Sequence, residues 1–138
     1  CIALSRHKLE LQDIHLTNRI QGSLPPVQGD FNQLQQCVIN LLFNAVDAMP
    51  EGGDIHISAY VDPQKTHLII SVEDTGTGIA PESLPHIFEP FYTTKKEGYG
   101  VGLGLSTVYG IMEQHNGSVA VQNRPGSGTV FLLKLPLA

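Results

Sequence analysis

Apolar residues recur at spacings of three and four through Leu34, Cys37, Val38, Leu41, Leu42, Ala45, Val46 and Met49, which predicts an amphipathic helix over Phe31 to Met49. Asp30 followed by Gln33 fits a capping box that opens it, and Pro50 with Gly52-Gly53 closes it. Ile55, Ile57 and Ala59 then alternate with polar residues, as do Leu68, Ile70 and Val72, and Asp62-Pro63-Gln64-Lys65 lies between the two runs. That pattern predicts an antiparallel hairpin ending at Asp74. A second helical stripe, Leu105, Val108, Ile111 and Met112, stops at Asn116-Gly117, a left-handed cap. Val119 and Val121, then Val130 and Leu132, give a final hairpin around Pro125-Gly126-Ser127-Gly128. Ile14, Leu16 and Ile20 mark a short strand before Gly22-Ser23-Leu24-Pro25-Pro26. A short helix after Pro81 leads to Phe88, and Glu89 to Gly104 is a long glycine-rich loop expected to be mobile. Hairpins mixed with helices predict an α+β, two-layer α/β sandwich: one mixed, mostly antiparallel sheet covered on one face by helices.

Composition narrows the function. The 138 residues are one domain's worth, 41% hydrophobic and 15% charged, as in a globular chain rather than a disordered one. A net charge of -5, from 8 basic and 13 acidic residues, disfavours a nucleic-acid surface and leaves Lys95-Lys96 as a local basic spot. Cys1 and Cys37 form no disulfide framework, and Cys37 falls on the apolar helix stripe, as a buried thiol in a reducing, cytoplasmic setting does. No apolar run approaches the roughly 20 residues that span a bilayer. The chain opens on Cys1 rather than methionine and reads as a fragment, with residues 1 to 12 the remnant of an upstream helix or linker and 13 to 138 the functional domain.

Four blocks then carry chemistry. On the first helix, a rotation of about 100° per residue gathers Gln33, Gln36, Asn40, Asn44 and Asp47 within an arc of roughly 80° opposite the apolar stripe. Asparagine is a mediocre helix former, but its amide oxygen is a neutral hard ligand that suits Mg²⁺ otherwise held by phosphates and water. Asp74 ends a strand and precedes Thr75-Gly76-Thr77-Gly78, with Glu73 on the opposite face by alternation. A carboxylate there can accept a hydrogen bond from an exocyclic amine such as adenine N6. Gly100, Gly102 and Gly104 run into the second helix, whose exposed amides and positive dipole end form a phosphate cradle. No Gly-Lys-Ser or Gly-Lys-Thr follows, so this is not a P-loop.

In this order the blocks resemble the catalytic, ATP-binding domain of sensor histidine kinases, within the superfamily that also holds gyrase, Hsp90 and MutL ATPases. The resemblance covers residues 13 to 136. The N box stands as Asn40-Leu41-Leu42-Phe43-Asn44-Ala45-Val46-Asp47-Ala48 and the first glycine box as Asp74-Thr75-Gly76-Thr77-Gly78-Ile79. The F box is Ile87-Phe88-Glu89-Pro90-Phe91-Tyr92-Thr93-Thr94-Lys95, worded most like kinases of the nitrogen-regulation type, and Gly100 to Leu105 is the second glycine box. The resemblance implies the Bergerat fold and Mg-ATP as ligand. It makes Asn44 the Mg²⁺ ligand, Asn40 a support for the phosphates and Asp74 the reader of the adenine amino group. Thr129 helps hold the base, while Gly76, Gly78 and Ile79 shape its pocket. Phe88 to Gly104 would form the ATP lid, with Thr94, Lys95, Gly100, Gly102, Leu103, Gly104 and Leu105 among the nucleotide contacts. Many family members carry a basic residue at the place of Asp47, so neutralisation of the phosphates falls to Mg²⁺ and the lid.

One departure separates two functions. Relatives that hydrolyse ATP place a glutamate base one turn before the metal asparagine, where Asn40 stands here, and an amide cannot take a proton from water at neutral pH. Hydrolysis should therefore be slow and phosphoryl transfer favoured. The family's acceptor is a histidine followed by an acid, and none of His7, His15, His56, His67, His86 or His115 has that context. The implied partners are an upstream dimerisation domain carrying the acceptor and a downstream response regulator, with no nucleic acid and no direct membrane contact. The fragment is expected to be a monomer and the full protein a homodimer. The alternatives are a nucleotide-binding regulatory module without transfer, a gyrase-like or Hsp90-like ATPase, or a protein-serine kinase of the same superfamily.

Overall fold

A computed structural model describes residues 14–20, 27, 29–49, 51–88, 104–124 and 128–137. Among them the elements run β1 (Ile14–Ile20), α1 (Phe31–Asp47), β2 (Gly53–Val61), β3 (His67–Asp74), a 3-10 turn (Leu84–His86), α2 (Gly104–Gln114), β4 (Ser118–Asn123) and β5 (Thr129–Pro136). One five-stranded sheet has the order β1-β2-β3-β5-β4, with β1 parallel to β2 and the other pairings antiparallel. Strand alternation sends Ile55, Ile57, Val72, Phe131, Leu133 and Leu135 to the face covered by α1 and α2. There they meet Leu41, Leu42, Ala45, Val108 and Met112 in one core. The two-layer α+β sandwich is thus the observed architecture.

Three local expectations change. Helix α1 stops at Asp47 instead of Met49, with Ala48 as its C-cap. A Cβ on Gly76 would come within 2.5 Å of the Ala48 carbonyl oxygen, so the glycine box abuts the helix end directly. The capping box is half formed: Asp30 accepts from the Gln33 N–H at 3.1 Å, but the Asp30 N–H donates to His115 Nε2 at 3.0 Å rather than to Gln33. Between Pro81 and Phe88 there is only the 3-10 turn, with a proline in its first positions. At the end of α2 the left-handed cap forms as predicted: Asn116 has φ 58° and the Gly117 N–H donates to Met112 O at 2.8 Å. The expected upstream helix remnant and the loop of residues 89–103 lie outside the described residues.

Candidate nucleotide site

The expected base end is built where β3 finishes and β5 begins. Register pairs Asp74 with Thr129 and Thr129 with Asn123, so three side chains stand in one row across β3, β5 and β4 on the helix-covered face. Asp74 is 2% exposed. Its carboxylate accepts the Gly76 N–H at 2.8 Å and the Thr129 N–H. Burial nevertheless outweighs these bonds and the nearby Arg124 charge, and pushes the carboxyl above the usual aspartate range. A carboxylate offers about four lone-pair sites. Two backbone donors leave capacity for an amine.

The glycines let backbone approach backbone here. Gly128 has φ +106°, and a side chain on it would run into the Asp74 carbonyl. Gly78 has φ +77° and faces Asn123. The Thr77 N–H donates to Ala48 O at 3.3 Å, tying the glycine box to the end of α1. Glu73, on the other face as alternation requires, pairs with Arg124, whose guanidinium also donates to Asp74 O at 3.2 Å.

The expected phosphate end lies on the polar arc of α1. Gln36 Nε2 donates to Asn40 Oδ1 at 2.7 Å, and Asn40 Nδ2 donates to the carbonyl of Gly104, the first residue of α2, at 3.2 Å. The N-box helix and the start of the expected phosphate helix are thereby brought together. Asn40 and Asn44 are half-buried, whereas Asp47 is exposed. Among the described residues nothing lies within 4 Å of where a Gly104 side chain would sit. Leu105 and Ile79 are half-buried against the core, and Phe88 sets its ring edge-on to Phe131 at 6.5 Å and tilted against Tyr109 at 5.9 Å. Thr94, Lys95, Gly100, Gly102 and Leu103 lie outside the described residues.

The donor set fits a magnesium nucleotide. Among the described residues no three His, Cys, Asp or Glu side chains converge as a metal cage. The amide arc instead suits a metal that shares its ligands with phosphate oxygens. Cys37 takes no part: burial pushes its thiol to about 11. Asn123 and Arg124 escaped the sequence reading. Asn123 comes beside Asp74 only through the pairing of both with Thr129, and the pairing of Asp74 with Thr129 joins distant residues.

Known proteins share this family and fold. The family described as histidine kinase-, DNA gyrase B-, and HSP90-like ATPase matches residues 29–138. Sensor kinase CckA of Brucella abortus (strain 2308) is 44% identical over 138 residues, covering 91% of this chain and 15% of that protein. The catalytic domain of histidine kinase ThkA, solved free of nucleotide, superposes with a TM-score of 0.86 at 32% identity, covering 99% of this chain and 88% of that one. ThkA in complex with the response regulator protein TrrA matches with a TM-score of 0.82 at 30% identity, over 99% of this chain and 38% of that one. The chain spans 15% to 30% of the length of the first three curated relatives it matches. No helix among the described residues is long and apolar enough to cross a membrane.

Proposed function

This chain belongs to the family of histidine kinase-, DNA gyrase B- and HSP90-like ATPases, as a nucleotide-binding sensor histidine kinase domain, and from that premise we propose that it binds Mg-ATP for transfer of the γ-phosphate to a histidine on an upstream dimerisation domain. The observation that supports transfer over hydrolysis is Asn40. Its amide bridges Gln36 and Gly104, so the position one turn before Asn44 offers structure and no proton acceptor. Asn44 is the Mg²⁺ ligand, Asp74 accepts from the adenine amino group, and Thr129 backs the base. The amides at the start of α2, with Gly102, Leu103 and Gly104, take phosphate, and Lys95 is a further phosphate contact. When bound, Mg-ATP supplies the phosphoryl group, with the metal offsetting charge that Asp47 does not.

In the parent protein the domain works inside a homodimer in the cytoplasm and serves a response regulator, residues 1 to 12 leading in from the upstream helices. The F-box wording supports a place among kinases of the nitrogen-regulation type. The test is the full-length protein with γ-labelled Mg-ATP. Acid-labile, base-stable label that disappears in Asn44→Ala is the expected result. ATP binding with no phosphohistidine would replace this reading by a regulatory nucleotide module.

A further inference from the structure

Asn123 ends β4 and stands third in the row that begins with Asp74 and Thr129. Its side chain clasps the glycine box at one residue, with Oδ1 accepting the Ile79 N–H at 2.9 Å and Nδ2 donating to the Ile79 carbonyl at 2.7 Å. Only one orientation of the amide serves both bonds, so the pair defines that orientation. Forty-four residues separate the partners, and no ladder hydrogen bond holds this stretch, since residues 77–80 belong to no strand. Gly78, just before Ile79, has φ +77°, and a Cβ there would lie 3.2 Å from Asn123 Oδ1 and 3.5 Å from Gly128 O. The next residue along, Arg124, braces the neighbouring strand end through Glu73 and Asp74 O. The end of β4 is therefore tied both to the glycine box and to the end of β3.

We propose that Asn123 is a positioning residue for the nucleotide base, acting through Ile79 to hold the Gly78-Ile79 wall at its distance from Asp74. This rests on the nucleotide reading above. Without the clasp the Gly78-Ile79 wall would sample other conformations, and ordering it on binding would draw on the interaction energy. The clasp supplies that order beforehand.

The experiment measures ATP affinity of the chain by calorimetry with Mg²⁺ present, alongside thermal melting. Asn123→Ala should weaken ATP about three- to tenfold, the loss of net hydrogen bonding at an exposed clasp, while the melting temperature stays close to that of the parent. Asn123→Asp keeps the shape and the acceptor for the Ile79 N–H but sets an oxygen against the Ile79 carbonyl. Its deficit relative to the parent chain should narrow as pH falls from 7 towards about 4, where the introduced carboxyl gains a proton and becomes a donor again. Measuring the parent at each pH cancels the titration of Asp74. Parent-like affinity in Asn123→Ala overturns the proposal, and so does a deficit in Asn123→Asp that ignores pH. If Asn123→Ala fails to fold, the aspartate profile alone decides. A parent chain that binds no ATP overturns the nucleotide reading itself, a result visible before any variant is made.

Discussion

The β2–β3 hairpin carries a buried aspartate at each end, and the two are held in opposite ways. Asp62, at the turn and 5% exposed, accepts the Thr66 N–H at 2.8 Å, the Thr66 hydroxyl at 3.1 Å and the His67 N–H at 3.1 Å. Burial raises its carboxyl, but these donors outweigh burial and bring it below the usual range. Asp74, at the open end, has fewer donors and burial wins. Asp62 is satisfied by the fold and strengthens it. Asp74 is held by the fold in a setting that disfavours its charge, with acceptor capacity unspent. A buried carboxyl whose charge the fold disfavours marks a candidate recognition site.

The largest expected break in this comparison comes from backbone. Gly128→Ala forces a side chain into the Asp74 carbonyl at a φ that favours glycine, and should cost about 3 kcal/mol in urea unfolding. Next, Asp74→Asn should weaken ATP binding by about 1 to 3 kcal/mol, read by calorimetry, with unchanged affinity excluding the adenine contact. Asp62→Asn should instead lower the melting temperature and leave ATP affinity untouched.

Acid separates the two more finely. Folding stability due to Asp62 is present above the unfolded carboxylate pKa and is lost as pH falls through its lowered folded value. For Asp74 the folded form binds its proton more readily than the unfolded chain. Its contribution therefore declines as pH rises through the raised value, while ATP affinity grows over the same window. Parallel unfolding and binding profiles from pH 3 to 7 check both signs. The smallest effect on folding belongs to Asn44→Ala, within about 0.5 kcal/mol for a half-buried helix residue, together with loss of the magnesium dependence of ATP binding.

Much of this was legible because it is local. Periods of three to four and of two located α1, α2 and the hairpins, and the left-handed Asn116 followed from its place after a helical stripe. The insertion of β5 between β3 and β4 was not legible, because pairing of Asp74 with Thr129 joins residues 55 apart and no local spacing encodes it. Asp74 itself was singled out by the glycines after it. Asn123 had no such flag. The helix end at Asp47 was misjudged because Gly76, far along the chain, occupies the space beside Ala48.

The two helices run side by side in opposite directions and are cross-tied at both ends of α2. Asn40 reaches the Gly104 carbonyl at one end, and His115 takes the Asp30 N–H at the other while its Nδ1 bonds to Ile111 O at 2.8 Å. Such a pair behaves as a braced frame, in which a displacement imposed on one member is felt along the whole length of the other. The head of α2 and the N-cap of α1 are thereby joined across ten residues, nearly three turns, of α1.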